Sequence, residues 1–133
     1  MAITITSLTA YLGFDATEST VVDTGGNYVV GFIMPNTWTP APVTVLVSTD
    51  NVTYHDLFVR TPERTSPMEF VFNYAPGAAV AINPTRMLMA RYIRLRSGTR
   101  EAPVPQAQTC SFTVITADLG GGGGTLPAAL GTE

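Results

Sequence analysis

The chain of 133 residues contains no lysine: all seven of its basic residues are arginine. That absence removes phosphate-loop lysines, Schiff-base chemistry and Ser–Lys dyads together. A single cysteine, Cys110, excludes an internal disulfide. A single histidine, His55, excludes a multi-histidine or cysteine-rich metal site. Charge is scarce as well. Charged residues make up 13% of the chain against 45% hydrophobic ones, a balance that packs a core and does not describe a disordered segment. So little charge leaves the surface to Thr, Ser, Asn, Gln and small apolar groups, which suits a protein packed against partners. The net charge is −3 and no basic run occurs, so no nucleic-acid partner is expected. No apolar run is long enough to cross a bilayer, and no membrane partner is expected either. The opening Met1-Ala2-Ile3-Thr4-Ile5-Thr6 has neither the basic nor the apolar region of a secretion leader, so synthesis in a reducing cytoplasm is the expectation.

What is present is strand pattern. Apolar residues recur at period two in Ile3/Ile5, Val30/Phe32/Met34, Val43/Val45/Val47, Phe70/Phe72, Val80/Ile82, Ile93/Leu95 and Cys110/Phe112/Val114. Ser19–Asp23 adds a weaker candidate and Tyr54–Val59 a stronger one, for about eight or nine short strands. Gly25-Gly26-Asn27 and Asp50-Asn51 are hairpin-like breaks, and ten prolines punctuate the loops and argue against long helices. Only Pro84–Met89 has helical character, with Pro84 suited to a first helical position. Many short strands without βαβ alternation predict an all-β, antiparallel two-sheet β-sandwich over residues 1–118. Cys110 alternates with Phe112 and Val114, which predicts a buried thiol.

Residues 119–133 form a second region. Five consecutive glycines, Gly120–Gly124, lose too much backbone freedom on ordering to belong to a sheet. They predict a linker to a short terminal peptide whose Leu126 and Leu130 are candidates for docking on a neighbour.

Candidate chemistry is thin. His55 stands beside Asp56, yet consecutive strand residues point to opposite faces, so the carboxylate is badly placed to orient the ring. No nucleophile, base and orienting group can be assembled, and the chain is read as non-enzymatic, with no cofactor and no metal. Asp50-Asn51-x-Thr53 lacks the dense acidic spacing of a calcium loop and reads more simply as an Asx-type turn. Tyr92, Arg94 and Arg96 fall on one face of a strand, opposite Ile93 and Leu95. They are residue types favoured at protein interfaces, with intramolecular pairing to Asp or Glu as the competing use. Trp38 lies in a loop bounded by Pro35, Pro40 and Pro42. There it either plugs the open end of the core or, with Asp50 and Tyr54, forms a ligand loop for a glycan.

A strand followed by Ser48-x-Asp50-x-x-x-Tyr54, with a later Ala90-Arg91-Tyr92-Ile93-Arg94-Leu95, resembles the discoidin-like (galactose-binding-like) jelly-roll sandwich across roughly residues 28–118. In size, composition and strand-rich layout the chain is also similar to small virion proteins of tailed bacteriophages, although no diagnostic motif carries that likeness. The first resemblance implies a jelly-roll scaffold and, as an alternative function, a carbohydrate-binding module associated with a tail or fibre. The second implies a virion structural protein that decorates and cements the outer capsid surface. Its partners would be the major capsid protein or other virion proteins, with a homo-oligomer as a further possibility.

Overall fold

Period-two patterning becomes antiparallel strands throughout the computed structural model, which describes residues 3–60, 66–73, 75–87 and 90–118. Eleven strands occur among these residues: β1 (Thr4–Leu12), β2 (Val22–Asp23), β3 (Tyr28–Ile33), β4 (Val43–Ser48), β5 (His55–Asp56), β6 (Phe58–Val59), β7 (Met68–Glu69), β8 (Val71–Phe72), β9 (Ala79–Ala81), β10 (Tyr92–Ser97) and β11 (Cys110–Asp118). One sheet has the order β1-β11-β3-β9. The other runs β2-β10-β4-β5, with β8 also on β4, and β6 pairs β7 as a small separate ribbon. The fold is an all-β sandwich of antiparallel sheets. Leu126, Leu130 and the glycine run lie outside the described residues.

The inner faces of the two sheets supply the core. Val43, Val45 and Val47 of β4 and Ile93 and Leu95 of β10 meet Ala10 and Leu12 of β1, Phe32 of β3, and Cys110, Phe112 and Val114 of β11. Every one of these residues is buried. Cys110 therefore takes the interior position its alternation predicts, and burial pushes its thiol pKa up. Phe72 closes one side of the core by stacking on Phe32, with centroids 5.3 Å apart.

Two departures from simple alternation have local causes. The β11–β3 register shifts between Ile115 and Thr116, which face Gly31 and Val29 in turn. Val30 is thereby the extra residue of a bulge, and Val29 takes the buried place expected of Val30. The expected strand Tyr54–Val59 is broken at Leu57. Its side chain is buried, its N–H donates to the Val45 carbonyl, and its own carbonyl accepts from Phe70. Within the helical candidate Pro84–Met89, Pro84–Met87 form a 3₁₀ turn, and Leu88 and Met89 lie outside the described residues.

β10 ends at a glycine for steric reasons. Gly98 has φ of 93°, its N–H donates to the Pro42 carbonyl, and a Cβ there would lie 2.4 Å from the Ala102 carbonyl oxygen. Only glycine fits that close approach.

Candidate functional site

The outer face of the β2-β10-β4-β5 sheet carries the stripe of Tyr92, Arg94 and Arg96, and the three side chains have different fates. Arg96 turns into a pocket of its own chain. Its Nη1 lies 2.6 Å from Asp56 Oδ1, its Nη2 donates to Glu69 Oε2 at 2.7 Å, and its Nε donates to Thr44 Oγ1 at 2.9 Å. Thr44 passes its own hydroxyl proton to the Gly98 carbonyl, and Glu69 Oε2 also accepts the Arg100 N–H. Arg96 and Thr44 are both buried. The approach of Arg96 to Asp56 Oδ1 is an ion pair without a directed hydrogen bond. That oxygen is the one buried side-chain polar atom among the described residues that receives none. Arg96 is spent on tying β5, at the edge of its own sheet, and β7, in the separate ribbon, to β10.

Arg94 stays partly exposed. Its Nε–H donates to the Ser19 carbonyl at 2.8 Å and its Nη1 lies 3.2 Å from Glu18 Oε1. Its guanidinium carbon lies 5.9 Å from the centroid of the Tyr54 ring. One residue before the strand, Arg91 lies over Tyr92 at 5.5 Å and pairs with Asp23 at 3.2 Å. Tyr54, Tyr92, Arg91 and Arg94 thus form one patch of aromatic and guanidinium groups, half-buried at the rings and at Arg94 and exposed at Arg91. The tyrosine rings bury much area with few torsions to freeze, and tyrosine and arginine together are the usual composition of an interface centre.

The tight turn beneath the patch is built by Asp50. Its Oδ1 accepts from Val52 N at 2.9 Å, Thr53 N at 3.0 Å and the Ser48 hydroxyl at 3.0 Å. The Thr53 and Val52 amides, then the Ser48 hydroxyl, hold its carboxyl below the usual value. Asn51 takes a positive φ of 62° and accepts the Tyr54 hydroxyl proton through Oδ1, which fixes the ring for Arg94. This is the Asx-type turn expected from Asp50-Asn51. Among the described residues no group of three His, Cys, Asp or Glu side chains could hold a metal ion.

Trp38 is not a neighbour of that turn. It precedes β4, whereas Asp50 follows it, and six extended residues separate the ends by roughly 20 Å. The Trp38 ring is 7% exposed, packs edge-on against Phe112 at 5.1 Å, and donates its Nε1–H to the Ala41 carbonyl. The loop around it is pinned by Gln106, which is buried. Gln106 Oε1 accepts from Thr39 N, and Nε2 donates to the Thr39 carbonyl and to Ser97 Oγ. Trp38 is the plug of the two uses its loop allowed. The expected ligand set divides: Tyr54 and Asp50 join Tyr92 and Arg94, and Trp38 belongs to the opposite end.

His55 is exposed and Asp56 faces Arg96, on opposite sides of β5. In the sequence Arg91 stands out only as part of a motif, and nothing local marks Glu18, Ser19, Gln106 or Glu69 as site residues. Opposite charges on non-adjacent strands are the sole signal for Glu18 and Glu69, and pairing of distant strands is needed to use it. No family model, curated protein or solved structure matches this chain.

Proposed function

We propose that the chain is a non-enzymatic structural protein of a tailed-phage virion, decorating the outer capsid surface and cementing neighbouring capsomers. The observation that carries an interaction role is the patch of Tyr54, Tyr92, Arg91 and Arg94 on a rigid sheet. The virion setting rests on the similarity in size, composition and strand-rich layout; in this reading the protein is made in the host cytoplasm and resides in the virion. The winding supports a jelly-roll scaffold of the discoidin-like type. Strands β1 to β4 alternate between the two sheets, and so do β9, β10 and β11.

Affinity in this reading comes from a modest interface repeated by lattice symmetry, not from one tight contact. The Leu126–Leu130 peptide would add a tethered second contact to the major capsid protein or another virion protein. The carbohydrate-binding alternative has less support, because the only tryptophan is occupied by Phe112 and Ala41. Quantitative mass analysis of purified particles tests the proposal. Stoichiometric amounts relative to the capsomer are expected. Absence from particles overturns it, and a handful of copies per particle assigns the protein to the tail or a vertex instead.

A further inference from the structure

The strand β1 is an open edge of its sheet, and it is the long one. The other strands that end a sheet path, β2, β5 and β9, have two, two and three residues, and short edges resist pairing with foreign strands. β1 has nine residues and pairs continuously with β11 from Thr4 to Leu12, with no bulge to twist it away. Its sequence Thr-Ile-Thr-Ser-Leu-Thr-Ala-Tyr-Leu contains no charge and no proline. The strand itself carries none of the usual guards of an edge: no charge, no proline and no bulge.

Which backbone groups face outward follows from Tyr11. The Tyr11 N–H donates to Thr20 Oγ1, and its carbonyl accepts from Thr20 N–H, so Tyr11 points its polar backbone away from β11. In an antiparallel ladder that direction alternates. Thr9, Ser7 and Ile5 therefore aim their N–H and C=O groups at the same open edge, with no partner recorded among the described residues. Thr20 ends the open window on one side and the start of β1 ends it on the other. Ser7 is its centre.

The inner face of β1 is only partly covered along the same stretch. Its inward residues pass from exposed at Thr4 through half-buried Thr6 and Leu8 to buried Ala10 and Leu12. Leu8 still packs against the margin of the core, and cover on this face thins towards the start of β1. Ile5 on the outer face is 59% exposed.

We infer that β1 pairs with β1 of a second copy of this chain, antiparallel about a two-fold axis at Ser7. Ser7 then lies opposite its own symmetry mate, and Ile5 opposite Thr9 of the other copy. Each of these pairs exchanges both of its N–H···O bonds. The β-branched Ile–Thr pairs suit cross-strand packing, and Thr6 and Leu8 of each copy cover one another on the inner side. An uncharged strand is what self-pairing requires, since any charge placed near the axis meets its own sign. The two sheets join into one continuous sheet, and the Tyr54–Arg94 patch belongs to the other sheet of each sandwich. The pairing does not depend on the virion reading.

Sedimentation of the full-length protein over a dilution series tests this. A reversible dimer is expected. Ser7→Lys and Ser7→Glu each place like charges across the axis and should weaken it by about tenfold or more. An equimolar mixture of the two variants should restore the dimer as a heterodimer, which a general folding defect would not do. Ser7→Pro is a further check: it removes an outward N–H that the β1–β11 ladder does not use, so the monomer should keep its fold and lose the dimer. A monomer at every concentration overturns the inference, and so does a dimer indifferent to all three substitutions or variants not rescued by mixing.

Discussion

Arg94 and Tyr54 are brought together across the sandwich surface, 5.9 Å from guanidinium carbon to ring centroid, by two separate constraints. Ser19 and Glu18 hold the guanidinium from one side. Asn51 holds the phenol from the other through its side-chain oxygen. Neither group is free to choose another place, so the pair presents a fixed aromatic–cation surface to whatever docks there.

Replacing that surface should therefore cost binding more than stability. Arg94→Ala is expected to destabilise the fold by about 0.5–1.5 kcal/mol, because its ion pair is partly exposed and screened. Occupancy on stripped particles should fall far more for Arg94→Ala and Tyr92→Ala than the melting shift accounts for. Equal occupancy of variants and wild type would remove the patch from the interface.

The Asp50 turn makes a pH prediction. Three hydrogen bonds to its Oδ1 favour the carboxylate, so its folded pKa lies below the ordinary 3.8. A carboxyl depressed on folding stabilises the fold above its unfolded pKa, and that contribution is lost as pH falls through the folded value. Carboxyl NMR titration should place the Asp50 midpoint below 3.8, and Asp50→Ala should flatten the dependence of stability on pH in that acid range. A midpoint at or above 3.8 would mean the turn does not hold the charged form.

Trp38 predicts a core phenotype and no sugar phenotype. Trp38→Ala removes a buried ring that packs on Phe112, at a cost of about 3–5 kcal/mol. Calorimetric titration with simple sugars should give no saturable heat. Saturable binding lost in a folded Trp38→Phe variant would put the glycan alternative ahead.

Where burial follows local alternation, the sequence was legible. Val43/Val45/Val47, Ile93/Leu95 and Cys110/Phe112/Val114 line the core as the period-two pattern demands. The pattern misplaced Val30 because a bulge adds a residue without leaving a compositional mark. It merged β5 and β6 because Leu57 continues the apolar run while its backbone turns to serve both Val45 and Phe70. The grouping of Trp38 with Asp50 and Tyr54 rested on loop composition, and loop composition does not say at which end of a strand a loop emerges. The tyrosine–arginine stripe was visible, and so was the option of pairing within the chain, but not that Arg96 is the arginine that turns inward. That turn depends on Asp56 and Glu69 arriving from other strands.

Arg96 gives the sharpest stability test. Its side chain is 8% exposed, and its guanidinium is shared among Asp56, Glu69 and Thr44. Removing it alone leaves the little-exposed Asp56 and Glu69 carboxylates with only Arg100, whose exposed guanidinium lies 3.4 Å from Asp56 Oδ2 and whose amide donates to Glu69. Arg96→Met should therefore cost about 3 kcal/mol, the low end for a broken buried pair. Glu69→Gln keeps an acceptor for Arg96 and for the Arg100 amide and should cost less. Because the two side chains share one hydrogen bond, their effects should not add, and the double variant should recover about 1–3 kcal/mol of coupling. The cluster is shielded, so added salt should change the Arg96→Met loss little, in contrast to the exposed Arg91–Asp23 pair. Chemical denaturation of the four proteins at low and high salt decides the matter. A loss below about 1 kcal/mol for Arg96→Met would show the pair to be an ordinary surface bridge. The clamp on β5 and β7 would then have to come from Leu57 and Phe70 alone.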